Sequence, residues 1–148
     1  MTKEEKDITT KASDDMTRLA IKLCMTKDIG VHGNLFGGHM LAWLDEAAAT
    51  WACSICRNPN MVTVKIDEMI FERPVKIGNQ VNIYGKVEKV GKTSLRMYVE
   101  ARTKNFYTGE EKMVCSTIFI FVRIDEAGDP VPIDEVVRLK YNNKSKNH

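Results

Sequence analysis

One acid stands alone in the most apolar stretch of this chain. Residues 33 to 56 read GNLFGGHMLAWLDEAAATWACSIC, with Asp45 in their midst. On a helical wheel turning roughly 100° per residue, His39, Glu46, Thr50 and Arg57 share a polar wedge about 40° wide, flanked by Ser54 and Trp43. Met40, Leu44, Ala47, Trp51 and Ile55 fill one apolar side; Leu41, Ala48, Ala49, Ala52 and Cys56 fill the other. Asp45 falls in the second, alanine-rich sector. Burying an ionised carboxylate without partners is expensive. Either backbone N–H groups or a basic partner satisfy it, or it is kept as a working acid, as perturbed carboxylates in clefts often are. Glu46 already occupies the solvated wedge, so nothing local requires an acid at 45.

Gly37 and Gly38 stand where this helix begins. The N–H groups of a helix N-terminus lack intrahelical partners and carry partial positive charge. Without side chains in the way, a carbonyl oxygen can reach them. The N–H groups around Gly38 and His39 thus form a candidate oxyanion hole for acyl transfer; the alternative is a pair of glycines that only ease a tight turn. Asp45 lies about two turns further on. It would act as general base on water, or as a nucleophile that forms a mixed anhydride.

GNLFGGHMLAWLDEA resembles the glycine-opened central helix, with its acid, of the hot-dog fold acyl-CoA thioesterases, in particular the YciA and brain acyl-CoA hydrolase group. The likeness continues through VTVKIDEMIFERPVKIGNQV, GKVEKVGKTSLRMYVE and STIFIFVRID, in order, over about residues 17 to 133. The resemblance implies an α+β hot-dog fold, a long central helix wrapped by a curved antiparallel sheet. It implies hydrolysis of acyl-CoA to free CoA and a carboxylic acid, within fatty acid metabolism. CoA would enter as part of the substrate, and no cofactor or metal would be required. It further implies a homodimer with a shared active site and a homohexamer built as a trimer of dimers.

Residue by residue, Asp45 matches the family acid. Asn34 matches an asparagine that many relatives contribute from the facing protomer, where it would orient water or the carbonyl. Thr63 falls on a threonine near the thioester. Some YciA-like members carry Asp in place of Asn34, and many relatives carry His in place of Phe36. KVGKTS, residues 89 to 94, lies where relatives bind the nucleotide end, which makes Gly91, Lys92, Thr93 and Ser94 candidate phosphate contacts. Arg73 and Lys76 are further candidates. Two rival functions share the fold: a hydratase or dehydratase working with a histidine such as His32 or His39, and a non-catalytic acyl-CoA sensor.

Other motifs carry less. GKVEKVGKT imitates a phosphate-binding loop, but it has one residue too many between its glycines and joins strand to strand. Cys53 and Cys56 sit near the helix C-terminus, where the dipole disfavours a thiolate, and no second pair stands at zinc spacing. They read as packing residues.

The elements that position these groups are legible in the alternation. The chain has 148 residues, 43% hydrophobic and 28% charged, with a net charge of +2. That fits one globular domain and gives no case for nucleic acid. With no apolar run of ~18 residues and no signal-like start, a cytoplasmic protein without a membrane partner is expected. The four cysteines read as free thiols. A strand at TRLAIKLCM precedes a turn-rich loop and the helix from about Phe36 to Cys56, which Asn58-Pro59-Asn60 stops. Strands follow at 61–71, 80–90, 93–105 and 111–125, joined mostly by short connections, hence an antiparallel sheet. A helix apolar over so much of its circumference is expected to be buried. Residues 1–14 read as a disordered arm, 15–135 as the thioesterase-like domain, and 136–148 as a short helix with a flexible basic tail.

Overall fold

The computed structural model describes residues 15–146, with side chains described as far as Asn142. The arm expected over residues 1–14 lies outside the described residues. Five strands, β1 (Thr17–Leu23), β2 (Met61–Ile66), β3 (Gln80–Val90), β4 (Ser94–Lys104) and β5 (Glu111–Arg123), form one sheet in the order β1-β3-β4-β5-β2. Every pairing is antiparallel. The long helix α1 (Gly37–Cys56) packs on one face, and α2 (Glu135–Lys146) closes the described chain. Alternation decides the faces: Leu95, Met97, Val99 and Ala101 of β4 are fully buried and meet Ile83, Phe119 and Phe121 in the core. A side chain at Gly85 of β3 would press on Leu19 and Trp51, its Cβ 2.9 Å and 3.2 Å from their carbons. That glycine lets the helix and β1 lie close to the sheet.

The helix is buried along one stripe, Met40, Leu44, Ala48, Ala52 and Cys56, spaced by single turns. Ala42, Glu46, Thr50 and Ser54 are exposed, and the flanks Leu41, Asp45, Ala49 and Trp43, Ala47, Trp51 are half-buried. The expectation of burial around the whole apolar circumference is therefore corrected. A single sheet covers one side of a helix, and the alanine flank reaches its edge. At its C-terminus Arg57 adopts a left-handed conformation, φ 51°, and the helix stops there.

Two element boundaries differ from the sequence reading. The strand expected over 61–71 ends at Ile66. Its register on β5 shifts between Thr63 and Lys65, and the chain then peels away while keeping touch with β5. Asp67 N–H donates to Ile118 O and Glu72 N–H to Val114 O. The tail expected to be flexible is helical through Lys146. Asn142 anchors it, its side-chain amide donating to Val90 O at 3.0 Å, and Val137 is buried against the core.

Candidate active site

Asp45 projects from the alanine flank of α1 toward β2, the outer strand of the sheet. Thr63 of β2 donates its hydroxyl hydrogen to Asp45 Oδ1 at 2.7 Å. Among the described residues no cation forms an ion pair with Asp45. The structure thus brings together two of the residues singled out from sequence. Val62 and Val64, on either side of Thr63, turn outward and are exposed.

The start of α1 is bare. Phe36 stands at the N-cap position with no side-chain cap, and the first turn holds no acid. Phe36 O accepts both His39 N–H and Met40 N–H, each at 3.1 Å. His39 N–H, expected as an oxyanion donor, is therefore already engaged. The N–H groups of Gly37 and Gly38 have no acceptor among the described residues. A Cβ on Gly38 would meet nothing within 4 Å, and the residue is exposed. The His39 ring turns instead to Asp28, with Nδ1 3.5 Å from Oδ1.

Asp28 is a carboxylate that the sequence reading passed over. It is 4% exposed, accepts Met25 N–H at 2.9 Å, and receives Phe36 N–H on its backbone oxygen. It fastens the 25–36 loop to the helix start. A turn segment has no periodicity, so the signal available was an acid in a Gly-rich loop, which usually reads as solvated.

Beside the helix start lies a cleft of about 370 Å³, with His32, Asn34, Gly37, Phe71, Arg73 and Val75 among its walls. Phe71 and Arg73 reach it because the chain peels from β2. Arg73 is pinned there by its Nε, which donates to Met113 O at 2.7 Å. Asn34 pairs with Lys76 across a short bridge, and its side-chain oxygen accepts a hydrogen bond from Lys76 Nζ. Asp45 does not line this cleft. Within one chain, Asn34 and Gly37 form one cluster, and Asp45 with Thr63 forms another.

The 89–94 turn belongs to neither. Gly91 N–H donates to Ser94 O at 2.8 Å, closing the β3–β4 hairpin, and so is not free for phosphate. Lys92 O and Thr93 O accept N–H groups from Ile133 and Arg123. The exposed Lys92 side chain and the Thr93 and Ser94 hydroxyls are what the turn offers a ligand. The eleven residues of β3 separate this turn from the Asn34–Lys76 end, by roughly 33 Å at about 3.3 Å per residue. Arg73 and the hairpin, grouped by the sequence reading as one nucleotide site, lie at opposite ends of the sheet.

The four cysteines are free. Burial pushes the thiols of Cys56 up to about 11 and Cys115 up to about 12, and raises Cys24 as well.

Residues 32–108, which hold the cleft, the acid and the hairpin, match the family model described as the thioesterase superfamily. The chain belongs to the thioesterase superfamily. One relative in the superfamily is the acyl-CoA thioester hydrolase YciA of Salmonella typhimurium, 32% identical over 114 residues, which are 75% of this chain and 85% of the relative. The chain spans 63% of the length of a Bacillus subtilis relative that it matches at 31% identity. Among solved structures, HI0827, a hexameric broad specificity acyl-coenzyme A thioesterase, superposes with a TM-score of 0.76 at 28% identity, over 88% of this chain and 89% of that one. Cj0915, a hexameric hotdog fold thioesterase of Campylobacter jejuni, gives 0.73 at 29% identity, over 84% and 96%. The long helix against a five-stranded antiparallel sheet is the hot-dog fold.

Proposed function

We propose that this chain hydrolyses acyl-CoA thioesters, with Asp45 as the group that activates the attacking water. The observation that carries the reading is the Thr63–Asp45 hydrogen bond on a half-buried carboxylate with no paired cation among the described residues. The hydroxyl fixes the orientation of the carboxylate, and a general base must be held in place to take a proton from water. Asp45 takes a proton from water as the oxygen attacks the thioester carbon. The carbonyl oxygen gains the negative charge, and the amides of Gly37 and Gly38 stabilise it. The tetrahedral intermediate collapses by breaking the C–S bond. Asp45 returns its proton to the departing thiolate, which leaves free CoA and the carboxylic acid.

The acid and the amides act on one carbonyl only if two chains share the site. Gly38 and Asp45 are separated by roughly 10 Å along the helix axis, and the cleft at the helix start excludes the acid. β2 is a sheet edge. Two copies joined β2 to β2 about a two-fold axis would lay their α1 helices side by side and antiparallel. Each Asp45, which already leans toward β2, would then face the partner's helix start and its Asn34-lined cleft. Three such dimers would form the hexamer that the solved relatives display. The hairpin carrying Lys92, Thr93 and Ser94 would serve the nucleotide end from another chain. This reading places the enzyme in the cytoplasm, in fatty acyl turnover, and gives it no cofactor.

A free-thiol assay on purified protein tests the activity. Asp45→Asn keeps the shape and the hydroxyl acceptor but removes the base, so turnover should fall about 10²- to 10⁴-fold while the assembly survives. Near-normal CoA release from that variant refutes the role of Asp45. Altered acyl absorbance without thiol release would indicate the hydratase chemistry instead.

A further inference from the structure

Three loops crowd one end of the sheet: residues 24–28 after β1, 76–79 before β3, and the 105–110 tip between β4 and β5. Register makes them neighbours. Leu23 faces Gln80, Gln80 faces Lys104, and Lys104 faces Glu111. Cys24 N–H and Gly78 N–H cross-link the first two loops, at 3.0 Å and 2.8 Å. Each loop projects an apolar side chain into solvent: Met25 and Ile77 are 51% exposed, Phe106 61% and Tyr107 99%.

The aromatic tip is braced outward. Asn105 Oδ1 accepts N–H groups from Tyr107 and Thr108, Asn105 N–H donates to Glu110 O, and Gly109 holds the positive φ that the turn needs. Phe106 and Tyr107 are thus fixed away from the core. At the same end stand Lys22, Lys104 and Lys112, half-buried on the strands, with Lys27, which pairs with Asp28 at 3.8 Å, and Lys76, which donates to Asn34. The acids of this end mostly look inward. Asp28 is buried, and Glu111 accepts hydrogen bonds from Tyr84 and Asn82. Glu110 is left at the rim.

Apolar tips in a field of lysines match an anionic lipid surface. Rings settle at headgroup depth while ammonium groups meet lipid charge. A folded protein partner would need a continuous complementary face of about 800 Å². Here the apolar groups stand on separate tips spread over roughly 14 Å, three strand spacings. We infer that this end of the molecule docks on anionic membrane surfaces through Met25, Ile77, Phe106 and Tyr107, with the lysines as electrostatic anchors. No helix among the described residues is long and apolar enough to cross a membrane, and surface docking requires none. On this inference the chain would have a membrane-surface partner that was not expected from its sequence. The cleft opens at the same end, because Lys76 joins Asn34. On the acyl-CoA reading, docking brings that cleft to the surface where long-chain acyl-CoA partitions.

Flotation of the full chain with vesicles tests the inference without any substrate, so it stands or falls apart from the hydrolase reading. The chain should float with phosphatidylcholine vesicles containing phosphatidylglycerol, and added salt should weaken the binding. Replacing the tip, Phe106→Ser with Tyr107→Ser, should lower vesicle affinity about tenfold or more. It should leave hydrolysis of a short acyl-CoA in vesicle-free buffer unchanged. Lys27→Gln and Lys104→Gln should each cost roughly fivefold. Failure to float, equal binding to pure phosphatidylcholine, or full binding by the tip variant overturns the inference. Release from vesicles by free CoA would reassign these loops to the nucleotide end of the substrate and overturn it too.

Discussion

A carboxylate that receives one hydroxyl bond and pairs with no cation among the described residues is oriented by that bond. Thr63 is therefore the residue that positions Asp45. Hydrogen bonds to charged groups contribute roughly 1.5–3 kcal/mol, so Thr63→Val should lower kcat about tenfold to a hundredfold with little change in KM. Thr63→Ser, which restores the donor, should recover most of the loss. Turnover unaffected by Thr63→Val would remove the hydroxyl from the chemistry. The buried thiols act on stability instead. Cys56 at about 11 and Cys115 at about 12 stay protonated in the fold well above the ordinary 9.0. In the unfolded chain both ionise from about pH 9, so above that pH the unfolded state binds fewer protons and stability declines. Their contribution is complete below about pH 9 and is lost as pH rises toward 11–12. The urea midpoint should drop between about pH 8 and about pH 10, and Cys115→Ala should flatten the drop. A midpoint flat across that interval would contradict the assignment.

At the scale of elements, the bare start of α1 separates stability from activity. A Cβ at Gly38 meets no neighbour within 4 Å, and alanine favours a helix over glycine by roughly 0.5–1 kcal/mol. Gly38→Ala should therefore melt no lower than the parent, yet release CoA more slowly because the methyl group crowds the approach to the amide. A faster or unchanged variant would place the oxyanion elsewhere. How far such features can be read from sequence depends on whether they are local. The wheel set Asp45 among alanines, and the structure finds it on the Leu41–Ala49 flank. Its partner Thr63 lies eighteen residues on, in another element, and only the family resemblance pointed there. The apolar run from Met61 to Phe71 hid the peel after Ile66, because the register shift that causes it is a property of the pair β2–β5. Asp28 sits in a loop without a period, and its burial comes from the helix start folding over it. The polar tail Tyr141–Lys146 reads as solvated, yet Asn142 finds Val90 fifty-two residues away. KVGKTS was legible as a turn; that its glycine amide is consumed in closing it was not.

At the scale of the molecule, the distribution of parts over the two edges of the sheet decides how a site can be assembled. β1 carries one edge. β2, with its exposed Val62 and Val64 and with Asp45 behind it, carries the other. If joining β2 edges builds the site, a chain lacking the acid and a chain lacking the accessible amide should rescue one another. Asp45→Asn and a bulky Gly38→Val variant, each nearly inactive alone, can be unfolded together in equal amounts and refolded. Random pairing makes half of the dimers mixed, and each mixed dimer has one site with both lesions and one with neither. The mixture should therefore recover about a quarter of parental turnover, whereas the same variants refolded apart and then mixed cold should recover little until subunits exchange. No recovery in the co-refolded sample, with mixed dimers verified by mass, would mean that acid and amide serve a site within a single chain. The roughly 10 Å between them along α1 would then have to be closed by movement of the helix start rather than by a second copy.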